Sequence, residues 1–211
     1  DYDDTLRMAN VRNPVDAAWR FASGNDNFYA GYEELFSYFS KNSSFRLSVV
    51  SGSPAFAYDR ILNRIRNVLG FSPNELVLKS GFEDTFDYKV KSISSIVEKS
   101  IDNEFLFLGD NGEKDQEVYL NLKSNYSKLA GSRFYIHKVM DRPELLGLNY
   151  YLSPFEIAYA ESLGLEQSEA ADAALNLARS LLQADPYELV PEFAHCPKAK
   201  RDWYFDCSRS A

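Results

Sequence analysis

Apolar residues in this chain recur first in short runs and then at helical spacing, and the two patterns alternate. "FRLSVVS" (Phe45 to Ser51) is β-rich and ends in "GSP", which predicts a strand passing into a helix, with Ser53 as N-cap and Pro54 at the first helical position. The helix predicted next carries Ile61, Ile65 and Leu69 on one face and stops at Gly70. "ELVLK" (Glu75 to Lys79) reads as a strand. Val90, Ile93, Ile96, Val97 and Ile101 then repeat with the period of a helix. "EFLFLGD" is nearly all apolar before its last two residues, as expected of a central parallel strand covered on both faces. "DQEVYLNLKSNY" gives another helix and "RFYIHKV" another strand. This rhythm implies an α/β fold with a parallel sheet and right-handed crossovers.

Beyond about Leu148 the pattern becomes helical only. "SPFE" (Ser153 to Glu156) has the spacing of a capping box, with Gly164 as the stop of a short helix. "SEAADAALNLARSLLQADP" is rich in alanine and leucine and ends before Pro186. The expected organisation is a core over residues 1–148 and a helical extension packed on it over 149–211.

Composition narrows the functional classes. Lys and Arg number 23 against 31 Asp and Glu, a formal charge of −8. That balance argues against a general nucleic-acid binder and supplies no polybasic patch for anionic membranes. No apolar run approaches the length of a bilayer span. Cys196 and Cys207 admit two readings: a disulfide in an exported protein or a pair of thiols in a cytoplasmic one. A zinc site with His195 and Asp206 is the weaker alternative.

Polar clusters fall where the predicted strands end, the place at which open parallel sheets bind ligands. They are "DYDDT" at the start, "SGSP", Lys79 after "ELVL", and "GDNGEKD" after "EFLFL". Each has an ordinary explanation alone: a frayed terminus, a helix cap, a solvated lysine, a turn. Together they form one candidate site. Asp1, Asp3, Asp110 and Asp115 are hard oxygen donors of the kind Mg²⁺ accepts. Ser51 offers a hydroxyl, and Lys89 or Lys79 a positive charge for phosphoryl oxygens.

The order of these motifs resembles the haloacid-dehalogenase-like phosphatases. It is closest to the catalytic domain of the actin-patch-type phosphatidate phosphatases and their bacterial relatives. The residues that carry the likeness are "DYDDT", "ANV", "SGSPAFAY", "DYK", "LGDNGEKDQEVY" and "FYIHKV", spanning Asp1 to Met140. The closing arginine of the family's last motif reads here as Lys138.

The resemblance implies a Rossmann-like parallel sheet and a phosphomonoester hydrolase. Asp1 would be the nucleophile, Asp3 the acid/base and Thr5 its support. Ser51 and Lys89 would bind phosphoryl oxygens, with Lys79 as the reserve for the cationic role. The metal would be Mg²⁺ on Asp1, Asp110, Asp115 and the carbonyl of Asp3. The implied substrate is phosphatidate or a related lipid phosphate; phosphoproteins or small esters are the alternative, and an inactive binding module a lesser one.

The stretch between the first two motifs is too short for a large cap, so a small cap or none is expected. Within it Tyr32, Leu35, Phe36 and Phe39 have the spacing of a packed helix, and the aromatics Trp19, Phe21, Phe28 and Tyr29 are left as minor candidates for the entrance. The family's first strand precedes the nucleophile, which here is residue 1, so that strand is expected to lie outside this sequence.

Overall fold

A computed structural model of the chain describes residues 1–9, 27–41, 45–101, 104–162 and 167–184. Trp19, Phe21, Gly164, His195, Cys196, Asp206 and Cys207 lie outside them. After a polar first turn come α1 (Tyr32–Ser40), β1 (Ser48–Pro54), a 3₁₀ turn (Ala55–Ala57) and α2 (Tyr58–Leu69). These are followed by β2 (Glu75–Lys79), α3 (Thr85–Lys99), β3 (Leu106–Asp110) and α4 (Asp115–Asn125). A second 3₁₀ turn (Ser127–Leu129), β4 (Arg133–His137), β5 (Asn149–Tyr151), α5 (Pro154–Ser162) and α6 (Gln167–Gln183) complete the order.

All strand pairs among the described residues are parallel. β1 lies beside β2, with Val49 opposite Leu76 and Val50 opposite Val77. β3, β4 and β5 form a second sheet in that order, with Asp110 opposite His137. Neighbouring strand residues serve opposite faces. Val49 joins an apolar group with Leu35, Phe36, Ile61 and Ile65, whereas Val50 joins another with Ile93, Val97, Val118 and Leu122. Tyr135 and its neighbour Phe134 divide in the same way. Helices therefore cover both faces, which is why "EFLFL" has no polar alternation. Fully burying a side chain such as Ile65 stabilises the fold by about 1.5–3 kcal/mol.

Between β1 and β3 runs a cleft of about 1600 Å³, walled by Val49, Val50, Leu106 and Leu108 and floored in part by Ile93 and Val97. Among the described residues each of these strands is hydrogen-bonded to a neighbour on one side alone.

The helix ends follow local chemistry. Gly70 stops α2 at φ 75°, its N–H donating to Arg66 O. Asp84 caps α3 by accepting from the Phe86 N–H at 2.8 Å. At α5 the Glu156 carboxylate accepts from the N–H groups of Leu152 and Ser153 at 3.0 and 3.1 Å, the acidic half of the expected capping box. α6 packs on α5 and α1, with Leu177 in the first apolar group.

Two expectations are corrected. Ser53 and Pro54 do not open a helix: β1 continues through Pro54, and α2 begins only at Tyr58. Ser53 has other partners, because its hydroxyl donates to Asp3 and its N–H to Ser51 Oγ. The region after Leu148 is not purely helical, since Asn149–Tyr151 adds a strand to β4. Three residues are too few for alternation to register, and Tyr151 is instead fixed by its surroundings. Its ring stacks on His137 at 5.0 Å and its hydroxyl meets that of Tyr32 at 2.6 Å. No helix among the described residues is long and apolar enough to cross a membrane.

Candidate active site

The first seven residues form a tight turn. The N–H groups of Leu6 and Arg7 both donate to Tyr2 O at 3.0 Å, and that of Asp4 donates to Arg7 O at 2.8 Å. Asp4 adopts φ 54°, an uncommon conformation for a residue with a Cβ. Its Oδ1 accepts from the Ala9 N–H at 2.9 Å, so this third acid of the opening stretch fixes the loop. Tyr2 and Leu6 are buried in the first apolar group. The main-chain nitrogen of Asp1 donates to Leu108 O at 2.6 Å, which sets Asp1 beside β3.

β3 ends on Asp110 and α4 begins on Asp115, both buried. Asp110 Oδ1 accepts from the Gly112 N–H at 2.6 Å, and Asp115 Oδ2 from the Asp110 N–H at 3.2 Å. Gly109 is required by this crossing: a Cβ there would lie 2.7 Å from the Asp115 Cβ and 2.8 Å from the Tyr119 hydroxyl. α3 delivers Lys89, whose side chain is 1% exposed, to the same point. Its Nζ stands 2.9 Å from Asp1 Oδ2 and 2.5 Å from Asp115 Oδ1. One carboxylate oxygen each from Asp1, Asp110 and Asp115 fall within 4.8 Å of one another.

Three acids around one cation leave an excess of negative charge out of water. Burial, then the neighbouring Asp115, pushes the Asp110 carboxyl up from 3.8 to about 8. Burial alone would lower the Lys89 ammonium, but Asp115 and Asp110 outweigh it and raise its pKa. Asp1 Oδ1 is buried and has no hydrogen-bond partner among the described residues. Such a set of hard, under-satisfied oxygens can hold a divalent cation.

The other expected residues divide. Ser51 is buried near the end of β1 and accepts from Ser53. Lys79 is drawn off to Thr85 Oγ1 at 3.4 Å, whereas Lys89 is the lysine among the acids. The Thr5 hydroxyl, expected to steady Asp3, donates to Asp110 Oδ2 at 3.3 Å. The Asp3 carboxylate is not among the three converging acids and is turned toward Arg7 and Ser53.

Lys138, read as the counterpart of the motif's closing arginine, lies just past the end of β4. His137 points inward and is buried, while Lys138 reaches out to Glu144 at 2.7 Å. Residues that the motifs did not single out are Arg7, Ser53, Glu113 and His137. Glu113 comes close to β1, its Oε2 lying 3.8 Å from where a Cβ on Gly52 would stand, and burial raises its pKa.

A family model described as "Phosphatidate phosphatase APP1, catalytic domain" matches residues 1–131. The chain belongs to this family. It is thus a member of a family of phosphoric monoester hydrolases, and the matched span contains Asp1, Asp3, Lys89, Asp110 and Asp115. Searches for similar curated proteins and similar solved structures return no match. Within this phosphatidate phosphatase family member, β4, β5, α5 and α6 lie beyond the matched residues, yet His137 from β4 touches the first turn through Asp4 O at 2.9 Å.

The raised Asp110 pKa has a stability consequence. In the folded chain Asp110 keeps its proton to about pH 8, whereas the unfolded chain releases it near 3.8. Between those values the folded state holds more protons, so this group makes stability fall as pH rises. The slope is at most about 1.4 kcal/mol per pH unit. Denaturant melts in chelator should show the parent losing stability relative to Asp110→Asn from pH 5 to 8, and no further above that. A difference constant across the range would contradict the buried, protonated Asp110.

Proposed function

We propose that this chain is a Mg²⁺-dependent phosphatidate phosphatase working through an aspartyl-phosphate on a haloacid-dehalogenase-like Rossmann core. The observation that carries the reading is the buried Lys89 held between Asp1 and Asp115, with Asp110 beside them. Asp1 is the nucleophile. Its carboxylate oxygen bonds to phosphorus as the bond to the alcohol oxygen breaks. Asp3 gives its proton to that oxygen, then takes one from the water that displaces Asp1. Lys89 and Ser51 hold phosphoryl oxygens as their charge shifts. Asp1, Asp110, Asp115 and the Asp3 carbonyl would hold Mg²⁺, which when bound neutralises charge between an anionic nucleophile and an anionic ester.

The same reading assigns a strand to the cleft between β1 and β3, running into Asp1. Two facing strand edges and the bond from Asp1 N to Leu108 O support it. Hydrogen exchange on a chain extended upstream of Asp1 should slow at Val49 and Leu108; unchanged exchange there would refute the strand.

Lipid substrate is supported by the rim of the site as well as by the family. Phe56 follows the end of β1 by two residues and Phe82 follows the end of β2 by three, next to the paired residues Pro54 and Lys79. Both therefore stand on the edge where Asp110 ends β3, and they are 82% and 110% exposed. Exposed aromatics at a site's mouth can enter a lipid interface without help from basic charge. Each Phe removed from such an interface costs about 1.5–3 kcal/mol. Phe56→Ser with Phe82→Ser should therefore lower the ratio of phosphatidate turnover in vesicles to soluble aryl phosphate turnover by about tenfold or more. An unchanged ratio would favour phosphoproteins or small esters instead.

The chemistry itself is tested at Asp1 and at the metal. Asp1→Asn should fold normally and lose about 10³-fold or more of its turnover. Chelation should silence the parent and Mg²⁺ restore it. Activity that survives either treatment would overturn the mechanism.

A further inference from the structure

Thr5 is committed to Asp110, so another group must set the position of Asp3. Two do. Arg7 Nη1 donates to Asp3 Oδ1 at 2.8 Å, and the Ser53 hydroxyl donates to Asp3 Oδ2. The Arg7 side chain is 3% exposed and that of Asp3 15%. A guanidinium buried this far costs several kcal/mol unless it is paired, and the Asp3 carboxylate is its ion-pair partner.

Both donors are themselves fixed. Arg7 is returned toward Asp3 by the turn in which its N–H binds Tyr2 O and its carbonyl receives the Asp4 N–H. Ser53 is held on the end of β1 by its N–H on Ser51 Oγ. A carboxylate gripped at one oxygen from its own turn and at the other from a different strand has little freedom to rotate.

We infer that Arg7 and Ser53 are positioning residues for Asp3, an inference that rests on the acid/base role proposed above. In the first step the electron pair of the breaking P–O bond goes to the alcohol oxygen, which takes the Asp3 proton. In the second a water oxygen bonds to phosphorus, its proton returns to Asp3, and the bond to Asp1 breaks. Asp3 must meet the leaving oxygen and later the water from one place. Arg7 and Ser53 hold it there and receive the carboxylate that forms between the two transfers.

This role has a signature that general structural damage lacks. The alkoxide of an alkyl phosphate is a poor leaving group and needs the proton, whereas p-nitrophenolate leaves readily without one. General acid catalysis supplies roughly 10²–10⁴-fold where it is needed. Arg7→Gln and Ser53→Ala should each lower turnover of a soluble alkyl phosphate at least about tenfold more than that of p-nitrophenyl phosphate. Asp3→Asn should show the same bias more strongly, and Arg7→Lys should recover part of it. Equal losses on both esters in the Arg7 and Ser53 variants, with the bias present in Asp3→Asn, would overturn the positioning role alone. Absence of the bias in Asp3→Asn would overturn the acid/base role and this inference with it. Thermal melts identify a variant that has failed to fold; should Arg7→Gln do so, Ser53→Ala decides the question.

Discussion

The rest of the site depends on one buried ammonium. Lys89 ties the first turn to the start of α4 through Asp1 and Asp115, and α3 is docked between them. Lys89, Ile93 and Val97 are buried and spaced four apart, so the lysine occupies a position that helical periodicity reserves for the core. Asp84 caps α3 and fixes where that face begins. Removing either charge from such a pair would leave the other buried and unpaired, which makes the contact costly to break whatever its net worth. It specifies geometry more than it adds stability.

Charge at this point does not balance within the protein. Three carboxylates meet one ammonium, and the surplus appears as an Asp110 that holds its proton to about pH 8. Part of the strain is relieved locally. Asp115 sits on the first turn of α4, where the helix dipole favours an anion, and Asp110 accepts main-chain N–H groups of the loop. The remainder suits a divalent cation, and this is the physical content of the proposed Mg²⁺ site. Without Gly109 the two acids could not share so small a space.

Most strands and helices were legible because their sequences are long enough for period to show. β2 falls on the residues expected of it, and α2 buries Ile61, Ile65 and Leu69 and stops at Gly70. β5 was not legible, because its three residues are held by Tyr32 and His137 from distant parts of the chain. In the site, residue types and order pointed to the acids. The choice between Lys79 and Lys89 needed the helix face, since both follow plausible elements. Ser53 was misread for a good local reason: Ser before Pro is a common helix start, and only the fold brings Asp3 to its hydroxyl. Arg7 carried a weak signal, an opposite charge four residues from Asp3, but that spacing implies contact in a helix and not in this turn.

The turn that bears Asp1 and Asp3 is held open in a conformation that costs energy, with Asp4 at φ 54°. What offsets that cost comes from a residue close by in the chain and from a distant strand. Ala9 donates to the Asp4 side chain, and His137 meets the Asp4 carbonyl at 2.9 Å. Burial drives the His137 pKa down to about 4, so near neutral pH the ring has one N–H to give. The Asp4 carbonyl faces Nδ1 at 2.9 Å and the Leu152 carbonyl faces Nε2 at 3.2 Å, so one of these two oxygens receives that proton. Tyr151 stacks against the ring and Tyr29 meets it edge-on at 4.5 Å, so the imidazole cannot turn away. Strands β4 and β5 thus enter the candidate site without contributing an acid to it. They hold the backbone that aims the two aspartates, and for that reason the site cannot be understood from the matched residues 1–131 alone.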